Sequence, residues 1–212
     1  MPLYKTITVD SHTKVLIWKI VESYEALSEG IALTPHCQDR VDGMKSDIHQ
    51  RGFMSVRHLL VEAGYTDFDL YYDEKGKPHL KDGKKISITH SYIFSAIIVS
   101  DKEIGIDIEM QRPKILKIAH KFTPIEEYRT LANEDALMRK LTMVWGAKES
   151  LYKSFAEPGV SFLKNIYVED FDMDDMKTKA QVSFKGKEEN YQVWFEEFEG
   201  FTSAYALISE KK

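Results

Sequence analysis

Along residues 104–109, IGIDIE, positions alternate: Ile104, Ile106 and Ile108 face one way, and Gly105, Asp107 and Glu109 face the other. That period predicts a half-buried strand from which two carboxylates leave a single face. Further on, the segment WGAKESLYK has helical period instead, with Trp145, Glu149 and Tyr152 or Lys153 along one side and Glu149 a turn before Lys153. The long helix that carries it starts at about Asn133, buries Leu137, Leu141, Val144, Leu151 and Phe155 with Lys148 interrupting the stripe, and closes at Pro158 and Gly159.

The rest of the chain divides by the same two periods. Two branched and aromatic runs, 3–9 and 15–20, flank the polar DSHTK turn and predict a hairpin. A short helix over 22–27 is followed by 30–44, where Gly, Pro and Asp without periodicity predict a long loop or a broken turn region. A firm helix over 47–63 has Phe53, Val56, Leu60 and Ala63 as its apolar stripe and Gly64 as its stop, with Arg51 and Arg57 off that stripe. In DLYYDEKGKPHL an aromatic strand enters a turn whose Gly76 and Pro78 bracket Lys77, and strands over 86–92 and 93–99 join near His90. FTPIEEY reads as a helix start, with Thr123 as N-cap, Pro124 at the first helical position and Glu126 closing a capping box. Strand patterns over 166–169, 180–184, 191–196 and 202–208 predict an antiparallel meander. Both halves run through strands and a helix, so the expected class is α+β, with two similar subdomains, 1–102 and 103–212, and a ligand cleft between them.

Composition narrows the function classes. A formal charge of -5 over 212 residues, with no long Lys/Arg run, argues against nucleic-acid binding. The lone Cys37 excludes an internal disulfide and offers no zinc spacing. No apolar run reaches membrane-spanning length and the amino terminus lacks a signal-peptide pattern, which predicts a cytoplasmic protein off the membrane, read as a monomer.

If the strand and the helix meet, Asp107, Glu109, Glu149 and Lys153 converge. Carboxylates held side by side repel one another and resist ionisation unless a cation lies between them, and oxygen ligands suit a hard cation such as Mg2+. Taken alone, either segment also fits an ordinary solvated face with surface ion pairs.

The order GIDIE, a gap, then WGAKESLYK resembles the signature of the 4′-phosphopantetheinyl transferase superfamily. Upstream, GKPHL and SITHS resemble the GKPxL and N-x-SH elements of its long, surfactin-synthetase-type branch, a pseudo-dimer in one chain, and FTPIEEY resembles its FxxxE segment. The resemblance spans residues 71–155; it departs at Thr89, where the family usually has Ser, and at Ser87, where Asn is common. It implies two α/β subdomains related by a pseudo-two-fold axis, coenzyme A as donor, Mg2+ as the metal, and a serine of an apo acyl or peptidyl carrier protein as acceptor, as in fatty-acid, polyketide or peptide synthesis. By the matching positions, Asp107, Glu109 and Glu149 hold the metal, and Glu149 and Lys153 are catalytic, as base and as charge neutraliser. Lys75, Lys77, Thr89, His90, Arg57 and Lys153 are the implied contacts to the cofactor. Two rival expectations are a catalytically silent homologue that binds coenzyme A or carriers, and a Mg2+-dependent phosphohydrolase. The segment RPKILKIAHK, with Arg112, Lys114, Lys117 and Lys121 around Ile115, Leu116 and Ile118, is the expected carrier-docking surface.

Overall fold

The structure, a computed structural model, describes residues 3–124 and 133–209. The chain forms two compact units, Met1–Asp101 and Lys102–Lys212. No helix among the described residues is long and apolar enough to cross a membrane.

In the first unit the opening hairpin is β1 (Leu3–Thr8) and β2 (Lys14–Lys19), paired antiparallel. Three helices follow: α1 (Tyr24–Ser28), α2 (Pro35–Asp42) and α3 (Asp47–Glu62). Strands β3 (Leu70–Tyr72), β4 (Pro78–Leu80), β5 (Lys85–Ser91) and β6 (Phe94–Ser100) complete a six-stranded sheet of order β1-β2-β6-β5-β4-β3. Leu59 and Leu60 of α3 bury against Leu16, Trp18, Ile86 and Ile97 of that sheet. Gly64 follows α3 at φ +86, a left-handed position that suits glycine as the stop.

One expectation fails here for an identifiable reason. The stretch 30–44 is not a continuous loop but contains α2, because Thr34 caps the Cys37 amide and Pro35 stands in the first turn. Arg57, read only as off the apolar stripe of α3, is 2% exposed, with its Nε 3.0 Å from Asp67 Oδ1 and its guanidinium carbon 3.4 Å above the Phe53 ring. Burial pushes the Asp67 carboxyl up, but the Thr34 amide and the Arg57 guanidinium outweigh it and hold Asp67 below the ordinary range.

The second unit opens on β7 (Ile104–Met110), followed by the short helix α4 (Lys114–Ile118). The capping box read in FTPIEEY needs Glu126, which lies outside the described residues. Helix α5 (Glu134–Phe155) begins at Asn133, whose side chain accepts the Ala136 amide at 2.7 Å, and ends at Ala156 with φ 56. After α6 (Phe162–Asn165), strands β8 (Ile166–Val168), β9 (Lys177–Phe184), β10 (Lys187–Phe198) and β11 (Phe201–Ile208) form the expected meander. The order is β7-β11-β10-β9-β8, every pair antiparallel, so β7 closes one edge against β11. Met143, Ala147, Leu151 and Phe155 of α5 pack on Val182, Tyr191, Val193 and Phe195 of that sheet.

A candidate active site on one strand and one helix

Strand β7 is not half-buried as its alternation predicts. Ile104, Ile106 and Ile108 are at most 2% exposed, and Asp107 on the other face is 5% exposed. The cause is α5, which lies on the Gly105/Asp107/Glu109 face at very short range. A Cβ added at Gly105 would fall 1.8 Å from the Ser150 carbonyl oxygen, and one at Gly146 would fall 3.2 Å from the Ala204 Cβ, with Asp107 Oδ2 4.0 Å away. Small residues on strand and helix therefore let the two backbones approach, and the special residues of IGIDIE meet the polar face of α5. At the far side of the contact, Arg139 of α5 donates to both oxygens of Glu197 on β10, and Gln111, just past β7, donates to Glu197 and to Thr202 of β11. The helix is thus tied to three strands.

Part of the expected set is in direct contact. Lys153 Nζ lies 2.7 Å from Asp107 Oδ1 and 2.9 Å from the Ile106 carbonyl. The Asp107 carbonyl accepts from the Ser203 hydroxyl at 3.1 Å, which pins the strand at that residue. Trp145 Nε1 donates to Glu109 Oε1 at 3.3 Å. Glu149 feels the same cluster: burial and then the Asp107 charge push its carboxyl up to about 7, against the pull of Lys153. Burial and the Asp107 charge push Glu109 up as well, opposed by Trp145, Arg112 and Lys153. Three carboxylates whose charges disfavour one another, with one ammonium in contact, form a donor set suited to a hard divalent cation, which would lower the shifted values again. Among the described residues no three His, Cys, Asp or Glu side chains stand together as a ready-made metal cage. The fit to a cation is therefore one of charge and ligand type.

Beside Glu109 and Trp145 opens a cavity of about 190 Å³, lined also by Arg112, Lys114, Ile118 and Thr142. The apolar residues of the expected docking segment divide their roles: Ile115 is buried, and Leu116 and Ile118 are half-buried against a cluster with Phe122, Leu141 and Val144. Lys114, Lys117 and Lys121 are exposed.

The remaining expected contacts belong to the first unit. Asp73 Oδ1 accepts the amides of Lys75 and Lys77, each at 2.9 Å, and its other oxygen meets His79 Nε2 at 2.9 Å, so the turn that carries both lysines is fixed by one carboxylate. Thr89 is buried in β5. His90, exposed, sits over α3 where Gly52 leaves room: a Cβ there would come 3.3 Å from His90 Cγ. The Arg57 guanidinium is engaged inside the core with Asp67, the Phe53 carbonyl and Cys37 Sγ.

Sequence reading missed two participants. Trp145 was visible only as a position on the helix face, yet it holds Glu109. Lys148 looked like a break in the core stripe, yet it is 1% exposed. The WGAKE segment held both signals, but the carbonyl and carboxylate partners are far off in sequence.

Residues 103–208 match the family model of the 4′-phosphopantetheinyl transferase superfamily, half of the chain's 212 residues. The chain belongs to that superfamily. It is also similar to Enterobactin synthase component D of Salmonella typhimurium strain LT2, 30% identical over 112 residues, which cover 51% of this chain and 47% of that protein. The chain thus spans about half the length of the curated relative that it matches.

Proposed function

We propose that this chain transfers the 4′-phosphopantetheine group of coenzyme A to a serine of an acyl or peptidyl carrier protein. The bond from the serine oxygen to phosphorus forms as the pyrophosphate P–O bond breaks, 3′,5′-ADP leaves, and the serine proton passes, directly or through water, to Glu149. The observation that carries this reading is the Lys153 ammonium held 2.7 Å from Asp107 Oδ1, one helical turn after Glu149, whose carboxyl burial and then the Asp107 charge push up to about 7 against the pull of Lys153. A bound cation would lower that value again, leaving Glu149 an ionised carboxylate at neutral pH that can take the serine proton directly or through water.

Asp107, Glu109 and Glu149 would hold Mg2+, which when bound neutralises the pyrophosphate and favours departure of the nucleotide. Lys153, already held by the Ile106 carbonyl, neutralises phosphate charge. Lys75, Lys77, Thr89 and His90 contact the coenzyme A phosphates, while Arg57 supports the first unit from its core. The exposed Lys114, which lines the cavity, and the exposed Lys117 meet the carrier, whose helices are commonly acidic. The reading is of the long single-chain branch, acting as a cytoplasmic monomer.

The test is release of 3′,5′-ADP from coenzyme A, followed chromatographically with a panel of purified apo-carriers. Release that depends on an apo-carrier supports the reading and identifies the carrier served. Release without any carrier favours a phosphohydrolase, and none with any carrier favours a silent binding homologue.

A further inference from the structure

Lys148 stands three residues after Trp145 on α5 and is 1% exposed. Its ammonium donates to the Phe122 carbonyl at 2.6 Å and to the Phe162 carbonyl at 3.0 Å. Burying an ammonium is costly unless its donors are met in good geometry. Here two carbonyls from separate segments meet them, which fixes both segments against the helix. The rings of the same two residues flank Trp145. Phe122 meets the indole edge-on, with centroids 5.0 Å apart and planes at 69°, and Phe162 lies 5.4 Å away at 45°. Tyr152, one turn beyond Lys148, adds a ring 5.6 Å from Phe162. Between these rings the indole is aimed so that Nε1 reaches Glu109 Oε1 at 3.3 Å.

A continuous line of contacts therefore leads from a buried ammonium to an acidic oxygen of the site. We propose that Lys148 is a positioning residue: it holds the Phe122–Phe162 pair that orients the Trp145 indole, and through that indole it sets the Glu109 carboxylate for a divalent cation. The inference rests on the metal role proposed for Glu109. Groups that orient a metal ligand from behind typically change affinity by about tenfold to a hundredfold when removed, and that scale sets the expectation here.

The experiment is fluorine NMR on protein labelled with 5-fluorotryptophan. The chain holds Trp18, Trp145 and Trp194, so Trp145→Phe assigns the resonance of interest. In the wild type, with coenzyme A present, adding Mg2+ is expected to move the Trp145 resonance and to leave Trp18 unmoved. In Lys148→Met the Trp145 resonance is expected to start displaced, and its half-saturation by Mg2+ to rise about tenfold or more. A Trp145 resonance that ignores Mg2+ in the wild type defeats the metal role of Glu109, and this inference with it. A wild-type response reproduced unchanged in Lys148→Met, in position and half-saturation, defeats the inference alone. If Lys148→Met loses its dispersed Trp194 resonance through unfolding of the second unit, Phe162→Leu decides: it removes one wall around Trp145, and an unaltered Mg2+ half-saturation in that variant overturns the proposal.

Discussion

The Lys153 ammonium lies 2.7 Å from Asp107 Oδ1, and the two side chains are 29% and 7% exposed respectively. Removing either member of this pair is therefore not symmetric. Lys153→Met leaves a buried carboxylate beside Glu109 and Glu149 without its nearest cation, and should cost about 2 kcal/mol, below the usual figure for a fully buried pair because Lys153 reaches solvent. Asp107→Asn relieves repulsion and leaves a lysine able to turn outward, so its cost should be smaller. Chemical denaturation in the presence of chelator checks the order: equal losses, or a larger loss in Asp107→Asn, would contradict the geometry described.

Glu149 makes stability depend on pH in a direction opposite to most carboxylates. Its folded value, about 7, lies above the 4.5 of an unperturbed glutamate, so between those limits the folded chain binds more protons than the unfolded one. Stability from this group is then present below about pH 4.5 and is lost as pH rises through 7, by at most about 3 kcal/mol. In metal-free buffer Glu149→Gln should match the wild type near pH 4.5 and exceed it at pH 8. Denaturation midpoints at the two pH values are the measurement, and a Gln variant that gains nothing at pH 8 would refute the shift.

Gly105 and Ser150 set the distance between strand and helix. Because an added Cβ would fall 1.8 Å from a backbone oxygen, Gly105→Ala forces the strand and α5 apart. Overpacking of this kind costs about 3 kcal/mol or more when backbone must move. Gly76→Ala is the control: no atom lies within 4 Å of a Cβ there, although its φ of +81 carries strain of its own. The expected thermal melts put Gly105→Ala well below the control; similar melting temperatures would show that the close approach is not required.

How far the chain could be read before its structure depended on the distance over which each signal acts. The strand period of IGIDIE, the helix start at about Asn133 and the four closing strands are local, and the structure bears them out. Helix α2 was missed although Thr34 and Pro35 mark its start, because the surrounding Gly30 and acidic residues obscured a helix of eight residues. The burial of Arg57 and Lys148 was not legible because periodicity sees charge and not partners; it depends on Asp67 and on two carbonyls that only tertiary packing supplies. The half-buried reading of β7 failed on Gly105, since a missing side chain gives no sign of what will fill its place. For the site, the meeting of strand and helix that brings Lys153 onto Asp107 was legible. The Trp145 contact that orients Glu109 was not.

Lys114 lines the cavity at Glu109, and both it and Lys117 are exposed, whereas Ile115 between them is buried. Reversing both lysines to Glu should raise KM for an acidic carrier about tenfold while leaving KM for coenzyme A nearly unchanged, since the change repels only the macromolecular partner. Initial rates with each substrate varied in turn are the check. An unaltered KM for the carrier would remove this surface from the docking site.

The most direct measurement is the intact mass of an apo-carrier after incubation with this chain and coenzyme A, with Mg2+, with excess chelator, and with Asp107→Ala in place of the wild type. The expected result is a mass gain of one phosphopantetheine group on the carrier serine with Mg2+, absent in chelator, and lower in rate by about a thousandfold or more in the folded Asp107→Ala protein. Full loading in chelator, or by Asp107→Ala at the wild-type rate, would contradict the proposed chemistry.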